Sequence, residues 1–365
     1  MAEKLVSDLL AYLVAAASNA GLYGPEHPAV KAYSLRAHAV LAELLKDSQE
    51  LSLTAVGPSL LVGDTPLREH GAHVVSFLKK LRQRGLERVV FRQGVQPQEV
   101  EAFAVGLSGT KGAVPTGGHI AVGALQVRTR APEGQVQGLL KQGQAMVAQV
   151  YHGLSRLKRL DAAGLEDAVL GFISALQREA NVLRLLSPVK SHSEYTYVHI
   201  TNVAVLSLFQ AQALGLQGEA LHEVGLAGLL HDVGKLFIPR EVIEKEGKLQ
   251  EAEWAAMQLH PLYGALFLSQ QPDVPRVAAI VAFEHHMRYD GQGYPRTKLR
   301  SHRQHLVSQM VALADFFDAL RSVRSYRGAL DVPTIAGFIQ EGAGSMFNPL
   351  LVKSFLQALK KAGVL

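Results

Sequence analysis

Residues 226–254 read LAGLLHDVGKLFIPREVIEKEGKLQEAEW. The apolar run at its start closes on His231-Asp232, and Val233-Gly234-Lys235 follows at once. Adjacent residues on a helix point about 100° apart. One of such a pair can therefore bind a metal from the side while its neighbour reaches the space between two metals. A carboxylate suits the bridging place because it carries two oxygens, whereas an imidazole offers one usable nitrogen per metal. A dipeptide of this kind is common by chance, and its weight comes from what lies around it.

Outward from this stretch the pattern repeats. His199 lies upstream in YTYVHITNVAVLS, residues 195–207. Downstream come His260 in LHPLYGA (259–265), the pair His285-His286 in EHHMRYDGQGYP (284–295), and Asp315 in VALADFFDALRSVRSYR (311–327). The other ten of the 15 histidines show no carboxylate pattern, and a lone histidine is ordinarily a surface or core residue. Asp318 reads as a hydrogen-bonding group near the site rather than a ligand. Gly291 and Gly293 supply turns that let backbone approach a ligand.

With order and spacing matched, the region from about 190 to 330 resembles the HD-GYP phosphodiesterases, a branch of the HD metal-dependent phosphohydrolases. The resemblance includes Gly293-Tyr294-Pro295 and is confined to the C-terminal half. It implies an all-helical domain that hydrolyses cyclic di-GMP to pGpG or GMP with two divalent metals, iron or manganese. Carried over by position, His199, His231, Asp232, His260, His285, His286 and Asp315 would be the ligands, with Asp232 bridging. Lys235 would hold a phosphate oxygen, and Asp232 and Lys235 would be the catalytic pair. Tyr294 would lie over the nucleotide, and Arg324 and Arg327 would contact its phosphates. Tyr195 stands where some relatives carry a glutamate for a third metal, Met287 where a glutamate usually follows the histidine pair, and Val323 and Ser325 flank Arg324 in place of Asp and Pro. None of these removes a ligand. They motivate the alternatives: a weak or inactive member that senses a nucleotide or docks a protein, or a hydrolase of another cyclic dinucleotide.

The chemistry is coherent on residue types alone. Phosphodiester hydrolysis needs a nucleophile at neutral pH and neutralised phosphoryl oxygens, and two cations supply both. The chain has no cysteine, so disulfides and thiolate sites are excluded and any metal sits on nitrogen and oxygen donors. Arginine adds a planar fork for phosphate that lysine lacks.

The 365 residues allow two domains of ordinary size, and 48% hydrophobic residues allow each a core. A net charge of +5 suits an anionic ligand, but no basic run marks a nucleic-acid tail. The first apolar stretch is interrupted by Ser18 and Asn19, so it reads as a soluble amphipathic helix, and the protein is expected in the cytoplasm.

Residues 1–130 read as a small α+β domain, sensory or protein-contacting: helices over 3–18, 28–47, 72–85 and 97–109, and strands in 51–56, 60–64, 88–94 and 119–127. Residues 131–185 read as a helical linker and 186–365 as the HD-GYP domain, giving a multidomain chain. Val147, Val150, Tyr151, Leu154 and Leu157 form one helical stripe, and Leu165, Val169, Ile173 and Leu176 another. A homodimer through residues 136–160 is one use of the first stripe. Gly143 at a seam position favours packing within the chain instead. The partners expected are cyclic di-GMP and a protein for the N-terminal domain, with no nucleic-acid polymer and no membrane.

Overall fold

The computed structural model describes residues 2–56, 59–63, 65–67, 71–109, 114–123, 133–157, 160–187, 192–245, 247–296, 303–322 and 329–365. They divide into two compact units, Met1–Gln126 and Val127–Leu365.

The first unit contains α1 (Ala2–Tyr23), α2 (Pro28–Leu44), β1 (Glu50–Val56), β2 (Ser59–Val62), β3 (Thr65–Pro66), α3 (Ala72–Gln83), β4 (Arg88–Arg92), α4 (Pro97–Ser108) and β5 (Ile120–Gly123). The strands form one antiparallel sheet in the order β3-β2-β1-β4-β5, with Leu53 opposite Val62 on one side and Val89 on the other. Leu53, Ala55, Leu60, Val89 and Phe91 share a buried core with Leu9, Leu10 and Leu13 of α1 and Phe77 of α3. Helix α4 starts at Pro97 behind a Gln96/Glu99 capping box and ends on Gly109, as the placement of Pro and Gly predicts.

Several element ends differ from the sequence reading by a few residues, that of α1 most. Helix α1 runs past Ser18 and Asn19 to Tyr23, because the Asn19 amide folds back to donate to Ala15 O at 2.9 Å. It is long and apolar enough to cross a membrane, yet Leu9, Leu10, Leu13, Ala16, Ala17 and Ala20 are fully buried, which is how a core helix behaves. Strand β5 is described over Ile120–Gly123, and the remainder of the expected strand lies outside the described residues.

The second unit contains α5 (Glu133–Leu157), α6 (Ala162–Arg178), a 3-10 turn (Val182–Leu185), α7 (His192–Ala213), α8 (Gly218–Leu230), a second 3-10 turn (Val233–Phe237), α9 (Arg240–Ile243), α10 (Glu251–Met257), α11 (His260–Ser269), α12 (Arg276–Glu284), α13 (Leu306–Arg321), α14 (Val332–Glu341) and α15 (Pro349–Lys361). Residues 199–211 of α7 and 221–230 of α8 are buried on nearly every side, the mark of central helices, and the two pack on each other. The expected linker is not a spacer. Its helices α5 and α6 pack against each other and against α7, and α6 also against α8, so they belong to this unit. The stripes were legible, but a stripe does not name its partner. Val147, Val150, Tyr151 and Leu154 are buried, and a Cβ on Gly143 would lie 2.4 Å from the Phe172 ring of α6. That seam is therefore filled from within the chain.

Candidate metal centre

Five helix ends or helix faces converge on one centre. His231 caps α8, and Asp232 follows it at the start of the second 3-10 turn. His260 is the first residue of α11. His285 caps α12, with His286 next. His199 lies within α7 and Asp315 within α13. Gly234 makes the convergence possible: a Cβ there would stand 1.9 Å from His260 O and 2.6 Å from Gly264 N. Only a bare backbone lets the turn after Asp232 press onto the start of α11.

The residues form two ligand groups. Asp232, His260, His285 and His286 can each offer an atom within 4.8 Å of the others, and so can His199, His231 and Asp315. Asp232 lies between the groups. Its Oδ1 is 3.3 Å from His260 Nε2 and 3.6 Å from His285 Nε2, and its Oδ2 is 3.3 Å from His231 Nε2.

Backbone carbonyls orient three of the rings. His231 Nδ1 donates to Gly228 O at 2.8 Å, His260 Nδ1 to Met257 O at 2.7 Å, and His285 Nδ1 to Ala282 O at 3.0 Å. With Nδ1 as donor, each Nε2 carries a lone pair toward the centre. His260 Nε2 and His285 Nε2 then face each other at 3.3 Å, lone pair to lone pair. Two buried atoms of the centre, His231 Nε2 and Asp232 Oδ1, have no hydrogen-bond partner. Buried acceptors directed at one another are costly unless a cation lies between them. The donor set thus fits divalent metals of the iron, manganese or zinc kind, which take imidazole and carboxylate together.

His199 is held differently. Its Nε2 is 3.1 Å from Asp315 Oδ1, and its Nδ1 is 2.8 Å from Asp318 Oδ2. Asp318 is fully buried and also accepts from Asn202 Nδ2 at 2.9 Å and Arg321 at 3.1 Å. It orients a ligand, matching the hydrogen-bonding reading made from sequence. Asn202 was missed; its one signal is an amide three residues after His199, on the same helical face.

Charge is arranged to match. Burial alone would lower the His199 pKa, but the two aspartates raise it to about 9. Burial lowers His285 to about 4, and it also lowers His286. Asp232 and Asp315 stay well below the usual carboxylate range despite burial, the first through Lys235 and His231, the second chiefly through His199.

Lys235 Nζ sits on Asp232 Oδ2 at 2.5 Å. Tyr294 stacks on His286, ring centres 4.6 Å apart, and its amide donates to His286 O at 3.2 Å. Burial raises its phenol pKa. Gly293, at φ +88°, brings the loop back: a Cβ there would lie 2.3 Å from His286 O. Arg324, Arg327, Val323 and Ser325 lie outside the described residues, as does the side chain of Tyr195.

Residues 180–351 match the HD domain family. Their relatives decide the branch. Cyclic di-GMP phosphodiesterase PA4108 of Pseudomonas aeruginosa is 32% identical over 221 residues, 60% of this chain and 53% of its own. The cyclic di-GMP phosphodiesterase response regulator RpfG of Xanthomonas campestris is 34% identical over 199 residues, 54% of this chain and 52% of its own. This segment belongs to the HD-GYP family. A third relative, 3'3'-cGAMP-specific phosphodiesterase 1 of Vibrio cholerae, is 36% identical over 152 residues, 42% of this chain and 35% of its own. The chain spans about half the length of the first two relatives. Among solved structures, Bd1817, a HDG"Y"P protein from Bdellovibrio bacteriovorus, shares the fold with a TM-score of 0.52 at 15% identity, over 86% of this chain and 94% of that one.

Proposed function

We propose that the second unit is a metal-dependent phosphodiesterase of cyclic dinucleotides, with cyclic di-GMP as substrate and pGpG or GMP as product. The observation that carries this reading is the set of inward-facing nitrogens around the two oxygens of Asp232. His260, His285 and His286 would hold one ion, His199, His231 and Asp315 a second, and Asp232 both. Bound cations of this type acidify water and neutralise phosphoryl oxygens. Iron or manganese suits the donors.

The protein's own groups do the rest. Asp232, kept ionised by its neighbours, holds its charge at the point of attack. Lys235, already on Asp232 Oδ2, is a cation beside the position a phosphate oxygen would take, where it stabilises charge that grows in the transition state. Tyr294 closes the wall over His286. Arg324 and Arg327 remain the candidates for contacts to the second phosphate.

Among the described residues, both potential metal groups lie in the second unit and none in the first. The first unit is read as a sensory or protein-contact module, and the protein as cytoplasmic. The test is turnover by anaerobically purified, metal-analysed protein. Wild type should carry about two ions per chain and release linear dinucleotide. His231→Ala with Asp232→Ala should abolish both. Full activity in the double variant refutes the reading. Tight nucleotide binding without turnover under iron and manganese loading would point to a scaffold.

A further inference from the structure

A cavity of about 580 Å³ opens beside the centre, lined in part by Gln258, Leu259, Gly293, Tyr294, Pro295 and Arg296. Its size is that of a small-molecule site. A line of rings leads to it from the metal ligands. His286 stacks on Tyr294 at 4.6 Å, and Tyr294 meets Trp254 edge-on at 5.9 Å. Trp254 is 46% exposed, which leaves part of its ring face open to solvent. It lies four residues before Gln258, on the same face of α10. At the mouth of a phosphate site, exposed aromatic surface of this kind is a stacking platform for a nucleobase. The polar side chains of the wall are the amide of Gln258, the guanidinium of Arg296 and the phenol of Tyr294.

We infer that this cavity is a guanine subsite, with Arg296 as the residue that determines base specificity. The inference rests on the phosphodiesterase reading only for the placing of the phosphates. Guanine presents two acceptors, O6 and N7, along one edge, and a guanidinium fork matches them with two donors. Adenine puts its N6 amino group where O6 would be, so donor meets donor. Gln258 can accept from the opposite edge of guanine. Cyclic di-GMP and the mixed guanine–adenine dinucleotide each carry a guanine, so both would enter, whereas cyclic di-AMP would be selected against.

Trp254 is the sole tryptophan of the chain and lies against Tyr294 of the cavity wall, so it senses a base that reaches that ring. Its fluorescence in the metal-loaded protein should be quenched by GMP at concentrations about tenfold below those needed for AMP, the discrimination of a bidentate pair. Arg296→Gln should bring the two nucleotides to within about twofold of each other, and Arg296→Lys, which keeps the charge and loses the fork, should do the same. The kcat/KM ratio of cyclic di-GMP over cyclic di-AMP should fall by a similar factor. Because each ratio is taken within one variant, a general loss of activity cancels.

Equal quenching by GMP and AMP in the wild type, no quenching by either, or an unchanged preference in both variants overturns the inference. Bis(p-nitrophenyl) phosphate, a diester without a base, separates the two readings. If the wild type hydrolyses it but shows no guanine preference, only the subsite fails. If GMP preference is present and no diester is cleaved, the subsite stands and the enzymatic reading fails.

Discussion

Four of the five imidazoles at the centre are held in one of two ways. His231, His260 and His285 donate to backbone carbonyls three residues earlier in the chain, whereas His199 donates to a side-chain carboxylate, Asp318, from another helix. A carbonyl is neutral and moves only with the backbone. A carboxylate is charged and can be exchanged by one substitution. Burial takes His285 to about 4, while the aspartates carry His199 to about 9. The first arrangement aims each Nε2 at the position a metal would take, and the second gives His199 a proton that would compete with a metal at neutral pH.

The carbonyl-held side breaks only through the backbone, and Gly234 is where that is done. Gly234→Ala puts a methyl group 1.9 Å from His260 O, so α11 must move with its first residue, His260. A shift of about 1 Å at a reacting centre costs about a hundredfold. The expected outcome is a loss of at least that size in turnover and the loss of one metal ion, read by metal analysis on protein whose circular dichroism remains helical. Full metal content and activity would show that the contact between α11 and the 3-10 turn does not set the site.

Asp318→Asn tests the other side. The shape is kept and the charge beside His199 Nδ1 is removed. Loss of such an outer partner typically costs ten- to a hundredfold in metal affinity or activity. Metal should be lost from the group formed by His199, His231 and Asp315 before the other. Equal loss from both groups would mean that the two ways of holding a ring are equivalent.

A histidine buried outside the centre provides the control. His222 of α8 is 2% exposed, its Nε2 has no partner, and burial lowers its pKa to about 4. The folded value lies below the unfolded one, so the neutral ring is compatible with folding above about pH 6.5. Stability is lost as pH falls from there through 4, because the unfolded chain takes up the proton first. By pH 5 the loss should be about 2 kcal/mol. His222→Phe should flatten this part of the profile relative to wild type in paired denaturant titrations. Identical slopes would show that His222 is not neutral by constraint.

Much of this was legible in the sequence because its period is local. The stripes of α5 and α6, the Pro and Gly limits of α4, and the HD pair at a helix end are all short-range patterns. What was not legible depends on contacts between distant segments. No spacing rule shows that Asn202 and Arg321 would share Asp318, that α5 and α6 would close on α7 rather than span a gap, or that Trp254 would meet Tyr294. The run of α1 through Ser18 and Asn19 was hidden for a related reason: the Asn19 amide finds its acceptor on the helix itself.

The smallest effect concerns how the carbonyl-held side is anchored. Tyr151 of α5 is buried, and its hydroxyl donates to Leu229 O at 2.6 Å, two residues before His231. The phenol pKa is pushed up by burial, so the group is a neutral donor throughout the physiological range. Gly228 O, its neighbour along α8, is taken by the His231 ring. Two successive carbonyls at the end of α8 are thus tied by side chains, one from the ligand and one from the segment once expected to be a linker. Tyr151→Phe keeps the packing and deletes one neutral hydrogen bond, for a cost of about 1 kcal/mol in stability. Because the lost bond bears on the backbone that aims His231, kcat should fall two- to fivefold with KM unchanged. A change in stability alone, with kcat intact, would show that α5 supports the fold without aiming the metal ligand.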